Sequence, residues 1–281
     1  MGVIDIWHQP FTKELLKKAY IDDPEQNAVV KWWGLEDRIQ GWTPAEFVAN
    51  MDRLGIEKVC IPAGKIKSFV RQVMQWDFQP EEIYDIIKDY PDRLYGLYGI
   101  NPHMGMDGVR ELEKSVKEYG FVGAHLHTYG FNLPINDKAY YPFYAKCEEL
   151  GIPVVMQVGH SAESMPSAMG RPILIDDIAL YFKNLKIVGA HTGWPWVEEL
   201  IAMAWKHKNV YIATTAHAPK YWDKSLVQFL NSRRGMGKVM YGTDFPVLTW
   251  EMTLAQIDEL GLKDEAKAEL LSGCAKKVFN F

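Results

Sequence analysis

Short apolar runs alternate with amphipathic segments along almost the whole chain. Eight runs of five or six residues have the composition and length of strands that are buried on both faces. The predicted strands are Val3–Trp7, Lys58–Pro62, Tyr95–Ile100, Val122–His127, Val154–Val158, Lys186–Ala190, Val210–Thr214 and Lys238–Gly242. Between them, apolar residues recur at helical spacing. The predicted helices are Pro44–Leu54, Gln79–Tyr90, Gly108–Glu118, Tyr140–Leu150, Trp196–Lys206 and Ala255–Leu260.

This alternation predicts an α/β fold, a (β/α)8 TIM barrel. Eight strand–helix units within 281 residues are typical of that fold. A doubly wound open sheet is the alternative, but no GxGxxG-type turn follows the first strand. No internal repeat or linker interrupts the chain, so we expect a single domain over residues 1–281.

Two longer stretches interrupt the alternation of predicted strands and helices. They are Phe11–Gly41, which contains Trp32 and Trp33, and Ser161–Pro172, which contains two methionines. We expect both to be insertions over the C-terminal face of the barrel, the first as a loop or a short helical segment and the second as a loop that forms a lid. Their apolar side chains would either line a substrate pocket or simply cover the barrel.

Composition narrows the class of protein. The net charge of −5 and the isoelectric point near 5.9 give no electrostatic reason to expect binding to nucleic acid or to an anionic membrane. No apolar run approaches the roughly 18 residues of a membrane span, and no basic, then apolar, leader is present. Cys60, Cys147 and Cys274 are widely spaced and are expected to be reduced and buried, as in a cytoplasmic protein.

Histidines cluster at the ends of the predicted strands. Seven of the eight follow an apolar run, and Asp244 ends the last run. The seven are His8, His103, His125, His127, His160, His191 and His217. Because the C-terminal ends of barrel strands meet on one face, these side chains are expected to gather in one site. Imidazole titrates near neutral pH and binds metals, so the clustering favours a functional site.

Two of these strand-end residues are the candidate catalytic groups. His191, in IVGAHTGWPW, lies between a strand and a helix, where a neutral imidazole can transfer a proton or polarise a carbonyl. Asp244, in YGTDFP, is expected to be a general base or a metal ligand, with capping of a neighbouring loop as the alternative. We therefore predict acid–base chemistry at the ends of the sixth and eighth strands.

Other strand-end residues are predicted to contact substrate. His125 and His127 alternate along one strand and therefore face the same side, either in the pocket or as barrel-wall histidines. Gln157 and His160 follow the fifth strand, and His217 is a candidate contact at the rim.

The first strand places two further candidates. Trp7 and Gln9 alternate inwards and are predicted substrate contacts, which leaves His8 on the other face in a structural role. Lys65 and Arg71, after the second strand, are interpreted as surface charges rather than as partners of a substrate carboxylate.

Two motifs resemble a known family. KIVGAHTGWPWVEEL and KVMYGTDFP are similar to the sixth- and eighth-strand signatures of the amidohydrolase-related (amidohydrolase 2) family. That family includes aminocarboxymuconate-semialdehyde decarboxylase, aromatic-acid decarboxylases and pyrone-dicarboxylate lactonase. The resemblance implies a (β/α)8 barrel that acts on a small molecule and forms homodimers or larger homo-oligomers.

The resemblance also implies a divalent metal, zinc or manganese, with four ligands. Family members hold it through His-x-His on the first strand, a histidine on the fifth and an aspartate on the eighth. Here Trp7, Gln9 and Gln157 stand at the first three positions, and only Asp244 remains. One carboxylate with neutral amides binds zinc weakly. We therefore expect that no metal is required, and any metal present would use Asp244 and His191.

The sequence leaves three functions open. The leading one is a hydrolase that acts on a lactone or cyclic ester, in which Asp244 activates water and the histidines polarise the carbonyl. The alternatives are a non-oxidative decarboxylase of an aromatic or unsaturated acid and a non-catalytic barrel that binds a small molecule.

Overall fold

A single parallel sheet of eight strands forms the centre of the protein. The computed structural model describes residues 2–281. The strands are β1 (Val3–Asp5), β2 (Ile56–Ala63), β5 (Leu94–Gly99), β6 (Gly123–Leu126), β7 (Val154–Met156), β8 (Ile187–Gly189), β9 (Val210–Ala213) and β10 (Val239–Met240). Each pairs in parallel with its neighbours in chain order. The predicted parallel sheet and its eight strands are confirmed.

The sheet curls until its first and last strands meet. The backbone N–H of Ile6 donates to the carbonyl of Tyr241 at 3.2 Å, and that of Asp244 donates to the carbonyl of Trp7 at 2.8 Å. These bonds lie just beyond β1 and β10, so the C-terminal ends of the two edge strands are held together. The arrangement agrees with the predicted (β/α)8 barrel.

Within the residues that the structure describes, twelve α-helices lie between and after the strands, and most of them cover the outer face of the sheet. They are α1 (Lys13–Tyr20), α2 (Pro24–Trp33), α3 (Pro44–Leu54), α4 (Pro80–Ile87), α5 (Gly105–Tyr119), α6 (Tyr141–Leu150), α7 (Ile175–Tyr181), α8 (Val197–Lys206), α9 (Lys224–Leu230), α10 (Trp250–Asp258), α11 (Asp264–Ala268) and α12 (Cys274–Phe279). None of the helices within residues 2–281 is long and apolar enough to cross a membrane.

Two apolar cores hold these layers together. The larger one lies between the sheet and the helices. The smaller one fills the space inside the sheet, and its central residues are Ile4, Cys60, Leu97, Val155, Val188 and Met240. Val278 and Phe279 of α12 belong to this inner core, together with Tyr95 and Val122 at the strand starts. Helix α12 therefore closes the N-terminal end of the sheet and leaves the C-terminal end for the site.

Local signals explain where the predicted elements agree best with the structure. Helix α3 has the predicted bounds because Thr43 and Glu46 form a capping box and Gly55 ends the helix at φ 71°. The three cysteines are free and buried, as predicted.

Seven of the eight predicted strands are too long at their C-terminal ends, whereas the second, predicted to end at Pro62, continues to Ala63. Trp7, His127, Val158, Ala190 and Gly242 were placed in strands but lie one or two residues beyond them. After three of these strands the backbone enters the left-handed region, at Gly159, His191 and Asp244, so the chain cannot continue as a strand there.

The interpretation of Lys65 as a surface charge is wrong. A hairpin that the sequence pattern did not predict, β3 (Lys65–Lys67) and β4 (Met74–Asp77), follows β2. It buries Lys65, whose side chain is 2% exposed and donates to Asp77 at 2.6 Å.

Candidate active site

A cavity of about 310 Å³ lies at the C-terminal ends of the strands. Its floor and sides are built from polar residues that follow β1, β7, β8, β9 and β10. These residues are Gln9, Gln157, His160, His191, His217 and Asp244. The cover comes from α1, α2, the β3–β4 hairpin and the loop after β7, which contribute Tyr20, Gln26, Val30, Trp33, Trp76 and Glu163.

Three neighbouring strand ends carry backbone strain at this cavity. His191, Ala216 and Asp244 have φ values of 58°, 63° and 56°, in the left-handed region that side chains other than glycine rarely adopt. All three line the cavity. Such strain costs on the order of 1 kcal/mol or more for each residue and is concentrated at functional sites. Its position therefore supports a site at β8, β9 and β10.

Asp244 is a half-buried carboxylate at the cavity wall with one close partner. The side-chain amide of Gln9 donates to its Oδ1 at 2.6 Å. Burial raises the pKa of Asp244 well above its ordinary value, the bond from Gln9 partly opposes this, and repulsion from Glu163 and Asp5 adds to it. A carboxylate with a raised pKa is a stronger base once ionised, which suits proton transfer near neutral pH.

The histidines at the cavity are held in the neutral state. Burial lowers the pKa of His191 to about 3, with a smaller contribution from repulsion by His217. Burial and repulsion by His160 lower the pKa of His217 to about 4. Neutral imidazoles at neutral pH can donate or accept a hydrogen bond but add no positive charge to the cavity.

Three of the predicted substrate contacts lie behind the cavity wall. Trp7 is fully buried, and its ring centroid is 4.4 Å from that of His125 and 5.0 Å from that of His191. His125 and His127 are 1% exposed and do not line the cavity. Gln157 does line it and approaches His125 Nε2 at 3.4 Å through its amide nitrogen. The predicted contact residues therefore lie in two layers, one that lines the cavity and one directly behind its wall. Their contact with substrate stays a prediction.

His8 lies on the far side of β1, away from the cavity. It is buried and stacks on Phe245 at a centroid distance of 4.7 Å. Its Nδ1 donates to the carbonyl of Gln9 at 2.7 Å. These contacts agree with the structural role predicted for this residue.

Glu163 is a site residue that the sequence reasoning missed. It follows β7 in the loop 161–172 and meets three different segments. Its carboxylate accepts from Gln26 of α2 at 3.3 Å and from Ser161 at 3.2 Å, and it lies 3.6 Å from His127 Nε2. Burial raises the pKa of Glu163, but the contacts with His127, Gln26 and Ser161 lower it by more than burial raises it. The resulting pKa is about 2. The carboxylate is therefore ionised and ties the loop to α2 and β6.

Replacing Glu163 by Gln should loosen this loop. The neutral amide keeps the size of the side chain but loses the charge-assisted contacts, each of which stabilises by about 1.5–3 kcal/mol. We expect amide hydrogen exchange in residues 161–170 to rise about tenfold or more. Glu198→Gln, an exposed change on α8, is the control. Equal exchange in the two variants would contradict a tethering role for Glu163.

The residues present do not fit the metal that the resemblance implied. Among residues 2–281, no three His, Cys, Asp or Glu side chains come together in a way that could hold a metal ion. The indole of Trp7 fills the space beside His125 and His191, and the amide of Gln9 points an N–H at Asp244 Oδ1. A residue that binds a metal beside Asp244 would have to present a free lone pair, and the N–H of Gln9 has none.

Comparison with known proteins places the chain in a family. A model of the amidohydrolase family matches residues 4–281. The chain belongs to the amidohydrolase family. The resemblance inferred from the two strand-end motifs is confirmed.

Two curated relatives are a decarboxylase and a hydratase. This amidohydrolase is 23% identical over 227 residues to the 2-amino-3-carboxymuconate-6-semialdehyde decarboxylase of Dictyostelium discoideum, covering 69% of the chain and 63% of the relative. It is 31% identical over 109 residues to the 2-keto-4-carboxy-3-hexenedioate hydratase of Sphingobium, covering 36% of the chain and 32% of the relative. The matches span less than two thirds of either relative's length.

Solved structures share the fold over the whole chain. An uncharacterised TIM-barrel protein of Bordetella bronchiseptica has a TM-score of 0.78 at 22% identity, covering 100% of this chain and 99% of its own. The 5-carboxyvanillate decarboxylase of Novosphingobium aromaticivorans, complexed with manganese and a nitrobenzoic acid, has a TM-score of 0.74 at 16% identity and covers 100% and 96%. At these identities the likeness establishes the TIM-barrel fold.

Proposed function

We propose that this amidohydrolase hydrolyses a small, uncharged carbonyl compound, such as a lactone or cyclic ester, with Asp244 as the general base. The charge of the cavity carries the proposal. Two carboxylates, Asp244 and Glu163, line it, and none of its lining residues within 2–281 is Lys or Arg. An anionic substrate would be repelled here, because the neutral histidines supply no compensating charge.

Nearby cations are engaged outside the cavity. Lys65 pairs with Asp77 behind the hairpin. Arg71 pairs with Asp23 and Glu25 at the N-terminal end of α2. Arg38 donates to the carbonyls of Pro246 and Val247, at 3.0 and 2.6 Å. None of the three cationic side chains is among the lining residues, so the walls favour neutral ligands.

The cover of the cavity suits an apolar ring. Val29, Val30, Leu35, Trp33 and Trp76 form one side of it, opposite the polar strand ends. Ligand sites of this kind bind an apolar body on one side and orient a polar group on the other. The ring of a lactone would pack against the cover and present its carbonyl to His191 and Asp244.

The proposed reaction needs only groups that line the cavity. Asp244 removes a proton from a water molecule, and the water oxygen attacks the carbonyl carbon. The N–H of His191 stabilises the negative charge that develops on the carbonyl oxygen. When the C–O bond of the ring breaks, the protonated Asp244 returns its proton to the leaving alkoxide. The product is a hydroxy acid, and once its carboxyl group has lost a proton to solvent, the resulting carboxylate is repelled by the negative cavity.

A substrate screen tests this proposal. Purified protein is incubated with neutral lactones and cyclic esters in one series and with aromatic and unsaturated carboxylic acids in the other. We expect hydroxy-acid formation from members of the first series and no carbon dioxide from the second. Release of carbon dioxide from an acid, with no lactone hydrolysed, would overturn the assignment.

Decarboxylation of an aromatic or unsaturated acid is the second candidate. It is favoured by the Dictyostelium discoideum decarboxylase and by the decarboxylases among the solved structures that share the fold. The neutral and negative cavity weighs against it, because a carboxylate substrate needs a positive partner. Metal analysis of the purified protein separates the two. We expect well under one zinc or manganese per chain, whereas about one would favour the decarboxylase.

A further inference from the structure

We infer that Thr215 is a positioning residue that keeps the proton of His191 on Nε2, so that an N–H donor faces the cavity. The inference rests on the proposed function, in which His191 stabilises the developing oxyanion. It adds to that function a residue that does not itself touch substrate. The inference is based on two hydrogen bonds between the Thr215 hydroxyl and His191.

Thr215 lies two residues after the end of β9 and contacts His191, which follows β8. Its side chain is fully buried. The backbone N–H of His191 donates to Thr215 Oγ1 at 3.0 Å. The same oxygen lies 2.8 Å from Nδ1 of the His191 ring. One hydroxyl therefore contacts both the strained backbone and the ring of this residue.

The direction of the second bond follows from counting hydrogens. A hydroxyl has one hydrogen to donate and can accept at its lone pairs. The backbone N–H of His191 already occupies an acceptor position on Oγ1. Within residues 2–281, Nδ1 is the one acceptor bonded to this hydroxyl. If Nδ1 carried the proton, the buried O–H of Thr215 would have no acceptor, which is unfavourable. Nδ1 is therefore the acceptor, and the ring proton is on Nε2.

The surroundings of His191 keep the ring in this state. Trp7 packs against it at a centroid distance of 5.0 Å and limits its rotation. Desolvation lowers the pKa of His191 to about 3, although a hydrogen bond with the Thr215 backbone acts in the opposite direction, so the ring is neutral at neutral pH. The charged and titratable groups that act on it from neighbouring segments are His217, Glu163 and His127. A neutral ring fixed by Thr215 can offer Nε2–H as a donor without any rearrangement, as an oxyanion site requires.

Nitrogen NMR of the wild-type protein tests the tautomer without a substrate. The protein is labelled with 15N-histidine, and the signals of His191 are assigned with His191→Gln. We expect a non-protonated shift at Nδ1 and a protonated shift at Nε2 at pH 7. A protonated Nδ1 in the wild type would overturn the inference. This readout is independent of turnover, so it stands even if no lactone is hydrolysed.

Kinetics of matched variants test the positioning. Thr215→Val removes the hydroxyl at nearly constant volume and should lower kcat by about tenfold to a hundredfold, since small misplacements of a catalytic group cost that much. KM should change little, because the donor acts mainly in the transition state. Thr215→Ser keeps the hydroxyl and should recover most of the rate.

Thr214→Val is the control. Thr214 is the neighbouring residue, is equally buried, and its hydroxyl has no hydrogen-bond partner within residues 2–281. We expect this variant to keep the wild-type kcat and histidine spectrum. If Thr215→Val behaves like Thr214→Val in both measurements, Thr215 has no positioning role. Loss of kcat in Thr215→Val and Thr215→Ser alike would also contradict it, since the hydroxyl would not be the cause.

Discussion

Replacing Asp244 by Asn should lower kcat for lactone hydrolysis by roughly 10³-fold, within the range that general base catalysis provides. Asn has nearly the same shape as Asp but cannot take a proton from water at neutral pH. Its side-chain oxygen can still accept the bond that Gln9 donates at 2.6 Å to Asp244. The local geometry should therefore survive, and the loss should appear in kcat with little change in KM.

The free energy of unfolding of Asp244→Asn should increase relative to that of the wild type as the pH rises. Burial raises the pKa of Asp244 above its ordinary value of 3.8, so folding favours the protonated form. The stabilising contribution of this group is complete below pH 3.8 and is lost as the pH rises through the folded-state pKa. Asp244→Asn carries no such penalty. The difference in free energy of unfolding between variant and wild type should therefore grow with pH and then level off.

Urea denaturation between pH 4 and pH 9 measures this difference. If Asp244→Asn is less stable than the wild type at every pH, the ionised Asp244 carboxylate does not destabilise the folded protein, and this prediction is wrong. Glu198→Gln, on the exposed face of α8, serves as the control for removal of a carboxylate. It should leave both kcat and the pH dependence of stability unchanged.

The two catalytic candidates could be predicted because their signals are local. His191 and Asp244 each follow a short apolar run, and in a parallel barrel the ends of such runs converge on one face. Their backbone conformation could not be predicted, because φ values of 58° and 56° occur here without glycine. The strands were consequently extended past their true ends.

The cover of the cavity could not be predicted from strand ends. Helix α1 has its own signals, a Thr12 cap and buried apolar residues at helical spacing, which would have placed Tyr20 on a helix. Glu163 has no comparable signal. Its position depends on the packing of an irregular loop against Gln26 and His127, which are distant in sequence. Such contacts are set by tertiary structure and leave no periodic pattern in the sequence.

Restoring the missing ligands should create a metal site. The triple variant Trp7→His, Gln9→His and Gln157→His would supply three imidazoles beside Asp244. Gln9 already lies 2.6 Å from the Asp244 carboxylate, and Gln157 lines the same cavity. Three histidines with one carboxylate form a donor set that zinc binds well. We expect about one zinc per chain with a Kd at or below about 1 μM, and no comparable binding by the wild type.

The variant should also need zinc for its stability. Trp7 is fully buried, and its replacement by a smaller ring should cost about 3 kcal/mol through lost packing. Zinc at 100 times its Kd would return about 2.7 kcal/mol, so thermal unfolding should recover nearly to the wild-type temperature when zinc is added. Adding Asp244→Asn to the triple variant should weaken this recovery. If the wild type itself gains comparable stability from zinc, then Trp7, Gln9 and Gln157 do not prevent metal binding, and the metal-free mechanism is wrong.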